Sequence, residues 1–235
     1  MSPAGRPLLM AAVGGGIVGA ALTLGVVVVA ARSGMGEPLV REALLANPDM
    51  LTEAADALRD RQYAPVIAAN AAALTTPFGS SWEGAARPEG VLVEFSDFAC
   101  PYCRSSLPVI DRLLAEDKGL RVVYRELPIL GPESVAAARL ALAASKAGRY
   151  ARFHDALWAA GRPSAASLQN AAKAAAIPFE PPQGADYEAE LRRNFDIAGQ
   201  LGATGTPLFV VGNRVLNGAV GYDQLKAAIA AARKG

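Results

Sequence analysis

An α/β fold interrupted by a long helical insertion, and preceded by a transmembrane helix and a helical arm, is what this sequence predicts. Three observations carry the expectation. A short apolar run, Val91-Leu92-Val93-Glu94-Phe95, leads into a Cys-X-X-Cys segment at the start of a helical pattern. A second apolar run at 120–127 gives way to helical spacing over roughly 70 residues, about 131–201. Two closely spaced strand-like runs, 207–211 and 214–216, then meet at Gly212-Asn213 and lead into a last helix over 221–233.

The 235 residues are 52% hydrophobic with a formal charge of +1, enough apolar material for one core and a smaller appendage. The near-balanced charge offers no basic stripe, so nucleic acid is not an expected partner. Residues 7–31 make 25 consecutive uncharged positions between Arg6 and Arg32. A spanning helix needs about 20 residues, and a secretory apolar region is usually about 7–15. Residues 1–35 therefore read as a transmembrane anchor or signal peptide, with the anchor fitting the length better, although the small residues at 28–31 could supply a cleavage site. One arginine on each side leaves the positive-inside rule nearly silent. Gly15 and Gly19 have a spacing that could pack two such helices, which chance explains equally well in so Gly- and Ala-rich a segment. Either reading of the leader places the remaining chain outside the cytoplasm, and the anchor reading holds it to the inner membrane by one pass with the catalytic domain in the periplasm or beyond.

Residues 36–74 read as a helical arm. Val40 and Leu44 share one face, Leu51, Ala54 and Leu58 another, and Asn47-Pro48 starts a second helix as cap and first-turn proline. The apolar stripe fits a helix lying on the main domain and an oligomerisation arm equally. Residues 75–90 hold two prolines, three glycines and two serines and read as a linker. The main domain is 91–235. After the first strand a helix runs over 101–116, then the strand at 120–127 with Val122, Val123 and Tyr124 at its centre. In the insertion Phe153 and Leu157 share one helical face, Tyr187, Leu191, Phe195 and Ala198 another, and Gly148 and Gly202 stand where C-terminal caps belong.

The two cysteines both lie in Cys100-Pro101-Tyr102-Cys103. A helix N-terminus favours negative charge, and the thiolate is the reactive form of cysteine. This makes Cys100 the expected exposed nucleophile, and Cys103, one turn on, the buried resolving thiol. Two cysteines and one histidine are short of ligands for a closed zinc site. A structural disulfide closing so short a loop would restrain little chain entropy. Glu94 lies on the strand that reads as buried; there it should resist ionising and could accept or return the proton of Cys103. A solvent-facing Glu94 at the strand edge is the alternative. His154, the single histidine, reads as a helix-surface or packing residue, and Phe153, Leu157 and Trp158 as a core stripe. Phe98 and Tyr102 flank the dithiol as candidates for an apolar rim.

From Val91 onward the chain resembles the DsbA family of thioredoxin-fold disulfide oxidoreductases. The resemblance rests on the strand-to-dithiol segment 91–104, the helical insertion and Gly205-Thr206-Pro207. It implies a thioredoxin fold with an inserted helical domain, a cis-proline at Pro207 beside the dithiol, and an acidic residue at Glu94. It also implies that Pro101, Tyr102, Thr206 and Pro207 contact an extended substrate peptide. Thr206 departs from the valine typical of the strongest oxidases and is similar to isomerases and suppressor-of-copper-sensitivity proteins. Those proteins and the Com1-type relatives also share a helical arm, where 38–62 would lie. The function implied is thiol-disulfide exchange with unfolded or misoxidised exported proteins, leaning to oxidase, with a membrane or periplasmic redox partner. The alternatives are an isomerase or reductase made a homo-oligomer by residues 37–72, and a thiol-based copper-binding or holdase protein. No bound cofactor and no resident metal are implied.

Overall fold

The computed structural model describes residues 37–180 and 184–234. The expected anchor at 1–35 lies outside the described residues. Among those described, no helix is long and apolar enough to cross a membrane. The chain divides into two compact units, the first ending at Ala57 and the second beginning at Leu58.

Two helices open the described chain, α1 (Glu37–Ala46) and α2 (Asp49–Ala69), breaking at Asn47-Pro48, where the Asn47 side-chain amide donates back to the Ala43 carbonyl of α1 rather than capping α2. The remaining elements are α3 (Ala71–Thr75), β1 (Trp82–Gly84), β2 (Gly90–Ser96), α4 (Pro101–Glu116), β3 (Leu120–Glu126), α5 (Pro132–Lys146), α6 (Tyr150–Ala160), α7 (Ala165–Ala174), α8 (Ala185–Gln200), β4 (Leu208–Val211), β5 (Arg214–Asn217) and α9 (Tyr222–Ala232). The strands form one sheet in the order β1-β3-β2-β4-β5. β2 and β3 are parallel, with Glu94 opposite Tyr124 and Ser96 opposite Glu126. The neighbouring pairs are antiparallel.

Alternation along the strands divides the core into two layers. Leu92, Val122, Tyr124, Phe209 and Leu216 pack with Ile110 and Leu113 of α4, Leu225 and Ile229 of α9, and Phe153 and Leu157 of the insertion. Val93, Phe95, Val123, Leu208 and Val210 face the other way, onto Ile67, Leu74, Ile197 and Leu201. The core stripe on α6 is thus buried as expected.

Three features differ from the sequence reading. The loop-like stretch after α3 contains β1, an edge strand paired with β3, because Trp82 finds a partner in Val123 that local composition does not reveal. Ile67 and Leu74, read as arm, are 6% and 1% exposed and belong to the second core layer. Phe195 shares its helical face with buried Ala198 yet is 42% exposed. Gly202 ends α8 with φ +69°, and a Cβ there would meet the Tyr63 hydroxyl at 2.0 Å, so the close approach of α2 demands glycine as much as the turn does.

Candidate active site

β2 delivers the chain into a turn at Ser96-Asp97-Phe98 and straight into α4, whose N-cap is Cys100 and whose first helical residue is Pro101. Proline suits that position because its missing amide hydrogen would have no helical acceptor. Cys103 lies within the first turn and is fully buried, with both cysteines present as free thiols. Cys100 is covered rather than exposed, 5% accessible, because the chain before β4 passes over it. Its thiol donates to the Thr206 carbonyl at 3.2 Å, across 106 residues of sequence. The Thr206-Pro207 peptide is cis, as the resemblance implies, and both residues are buried. Pro101 and Tyr102 are exposed beside the dithiol, Tyr102 to 64%. Phe98 is not part of the rim: it is 3% exposed and packs on Phe153 and Trp158.

Beneath the thiols sits a buried acid. Glu94 is 2% exposed on the sheet face that α4 covers, and its Oε1 has no hydrogen-bond partner. Burial, reinforced by the charge of Glu83, pushes its carboxyl up from 4.5 to about 8. Burial also pushes the Cys103 thiol far up, with Glu94 adding to the effect and the Asp97 amide and Thr206 hydroxyl partly offsetting it. A neutral thiol and a carboxyl near its midpoint at neutral pH thus face the same interior, an arrangement able to pass one proton between them.

Two further acids stand here that sequence spacing does not single out. Asp97 is 2% exposed, and its carboxylate accepts from the amides of Ala99 at 2.8 Å, Ile129 at 2.8 Å and Leu130 at 2.9 Å. Its carbonyl accepts from the Cys100 amide at 2.9 Å, so one residue ties the dithiol turn to the loop after β3. An Asp just after a strand is a turn signal that could have marked it. Glu126 ends β3 with its Oε1 accepting from the Tyr150 hydroxyl at 2.9 Å and Oε2 unpartnered. Burial raises it too to about 8, against the lowering effect of that hydroxyl. His154, 5% exposed, is a packing residue among Tyr124, Tyr150, Phe98 and Trp158.

The model of the DSBA-like thioredoxin domain family matches residues 91–230, and that of the copper resistance protein ScsC N-terminal domain matches 37–64. The structure of a thioredoxin-like oxidoreductase from Silicibacter pomeroyi DSS-3 is 34% identical, covers 70% of this chain and 98% of its own, and superposes with a TM-score of 0.64. A periplasmic thioredoxin-like protein from Salmonella enterica serovar Typhimurium is 27% identical, with 70% and 96% covered and a TM-score of 0.64. The Na(+)/H(+) antiporter NhaA 1 of Salinispora arenicola is 32% identical over 151 residues, which are 61% of this chain and 23% of the antiporter. The chain thus spans about a quarter of the length of the curated relatives it matches. With a sheet of this order, a helical insertion before β4, a dithiol capping α4, and a family model matching more than half of its residues, the chain belongs to the DsbA-like thioredoxin family.

Proposed function

We propose that Cys100 and Cys103 are the redox pair and that the protein oxidises exported polypeptides outside the cytoplasm. The observation that carries this is the contact between the Cys100 thiol and the Thr206 carbonyl, which puts the nucleophile against the backbone preceding Pro207. In the oxidised enzyme a substrate thiolate attacks the Cys100 sulfur. The Cys100–Cys103 bond breaks, a mixed disulfide forms, and Cys103 leaves as a thiolate that takes the proton of Glu94. A second substrate thiolate then attacks the substrate-side sulfur and releases Cys100. The substrate loses two electrons to the enzyme dithiol, and a membrane or periplasmic partner must take them up for the next turnover. Pro101, Tyr102, Thr206 and Pro207 border the place where the substrate strand would lie.

The extracytoplasmic location rests on residues 7–31 and on the persistence of protein disulfides in oxidising compartments. A reporter fused after Gly235 and active only in the cytoplasm would overturn it. The reduction potential of the full chain against glutathione, with Cys100→Ser as control, tests the direction of exchange. Oxidase function expects a value near about −120 to −150 mV. About −180 mV or lower assigns the pair to isomerisation or reduction, and a bridge below about −300 mV to a structural role.

One observation favours the isomerase reading. The stretch matched by the ScsC N-terminal model carries exposed Val40, Leu45, Met50 and Leu51, apolar side chains suited to self-association. An oligomer on light scattering, together with repair of scrambled disulfides that is lost on Leu51→Glu, would replace the oxidase reading.

A further inference from the structure

We propose that Glu83, His154 and Asp155 form a binding site for a divalent first-row transition cation, of which zinc is the natural probe, on the seam between β1 and α6. One donor atom from each residue lies within 4.8 Å of the other two. His154 Nδ1 is 3.3 Å from Asp155 Oδ1 and 3.9 Å from Glu83 Oε1. The second distance is too long for a hydrogen bond. Both lie near the ~3.4 Å that separates two ligands on a tetrahedral ion with bonds of about 2.0–2.2 Å. Small movement closes the set, since the Asp155 side chain is 76% exposed and free to swing.

The site is built rather than merely acidic. The imidazole packs edge and face among four aromatic rings, the closest being Tyr124 with centroids 4.7 Å apart, and its Nδ1 faces the two carboxylates. The Tyr124 hydroxyl donates to Glu83 Oε2 at 3.2 Å and leaves Oε1 as the oxygen nearest the imidazole. Such outer partners orient the ligands of metal sites. The donor set points the same way. Among the described residues, Glu83 and Asp155 both face the same imidazole and neither carboxylate pairs with Lys or Arg. An ion held by one nitrogen and two oxygens would keep its fourth position for water.

The test is zinc titration of the full chain by competition with a chromogenic chelator, with the Cys100–Cys103 disulfide formed so that no thiolate competes. The expected result is one ion per chain, weakened at least tenfold by Asp155→Asn and by Glu83→Gln, each variant melting as the parent does without metal. Cobalt should give a visible spectrum of a nitrogen- and oxygen-ligated ion that Asp155→Asn removes. No binding below millimolar zinc, or binding that both substitutions leave unchanged, overturns the proposal. Because the disulfide is closed throughout, loss of the redox reading would leave this result untouched.

Discussion

Glu94 and Cys103 are both desolvated by burial, and the charge of Glu94 makes a Cys103 thiolate more costly still. On the proposed exchange, the rate should follow the protonation of Glu94. Glu94→Gln keeps the shape and removes the proton. Exchange at neutral pH should fall by up to roughly 100-fold, the low end for a positioned acid or base, and the pH–rate profile should lose its midpoint near 8. A rate that falls while the midpoint stays would assign Glu94 to packing alone. At this scale the sequence made Cys100, Cys103, Glu94 and Pro207 legible, because a helix start, a buried strand and a family motif are local signals. Asp97 and Glu126 were not legible. The partners of Asp97 at 129–130 and of Glu126 at Tyr150 lie 24 to 33 residues away, and only the packed sheet brings them together.

Among the elements, β3 is fastened by one side chain. Arg125 is 2% exposed and forms an ion pair with Glu190 of α8 at 2.5 Å. It also donates to the carbonyls of Leu74 at 3.2 Å, Thr76 at 2.6 Å and Ala73, where α3 ends. A guanidinium suits this position because its planar fork serves several acceptors at once and complements the carbonyl end of a helix. Removing one partner of a buried pair leaves the other charged and unpaired, which costs about 3–5 kcal/mol. Arg125→Ala should therefore lower the denaturation midpoint steeply, and the double change Arg125→Met with Glu190→Leu should recover much of the loss. A double variant no better than Arg125→Ala would show that the carbonyls of α3, not Glu190, are what the arginine serves. The order of elements was readable from periodicity and turn residues. β1 was not, since a three-residue strand between glycines is specified by pairing with Val122 and Val123 and not by its own composition.

The whole molecule carries two neutral carboxyls in its interior. Glu94 and Glu126 each have a folded-state value near 8 against an ordinary 4.5. Below 4.5 both folded and unfolded chains hold these protons and the contribution to stability is complete. As pH rises from about 4.5 to 8 the unfolded chain releases protons that the folded chain keeps, and stability declines by roughly 1 kcal/mol per pH unit for each group. The decline ends above about 8, where both states are ionised. Glu116, which hydrogen bonds to Tyr222, Arg112 and Lys226 hold down near 2, acts in the opposite sense on the acid side. Thermal melting should thus give its highest midpoint near pH 5 and a lower one at pH 8, and Glu94→Gln with Glu126→Gln should flatten that slope. A midpoint that climbs from pH 5 to 8 in the parent would contradict the buried, protonated state of both groups.

The covering of Cys100 has a consequence in time. The carbonyl over its sulfur belongs to Thr206, so a chain emerging from its N-terminus presents both thiols long before the segment that closes over them has appeared. During that interval the Cys100 sulfur stands without its cover, open to any disulfide it meets. These 235 residues contain no third cysteine, so within them each thiol of the pair has the other as its sole disulfide partner.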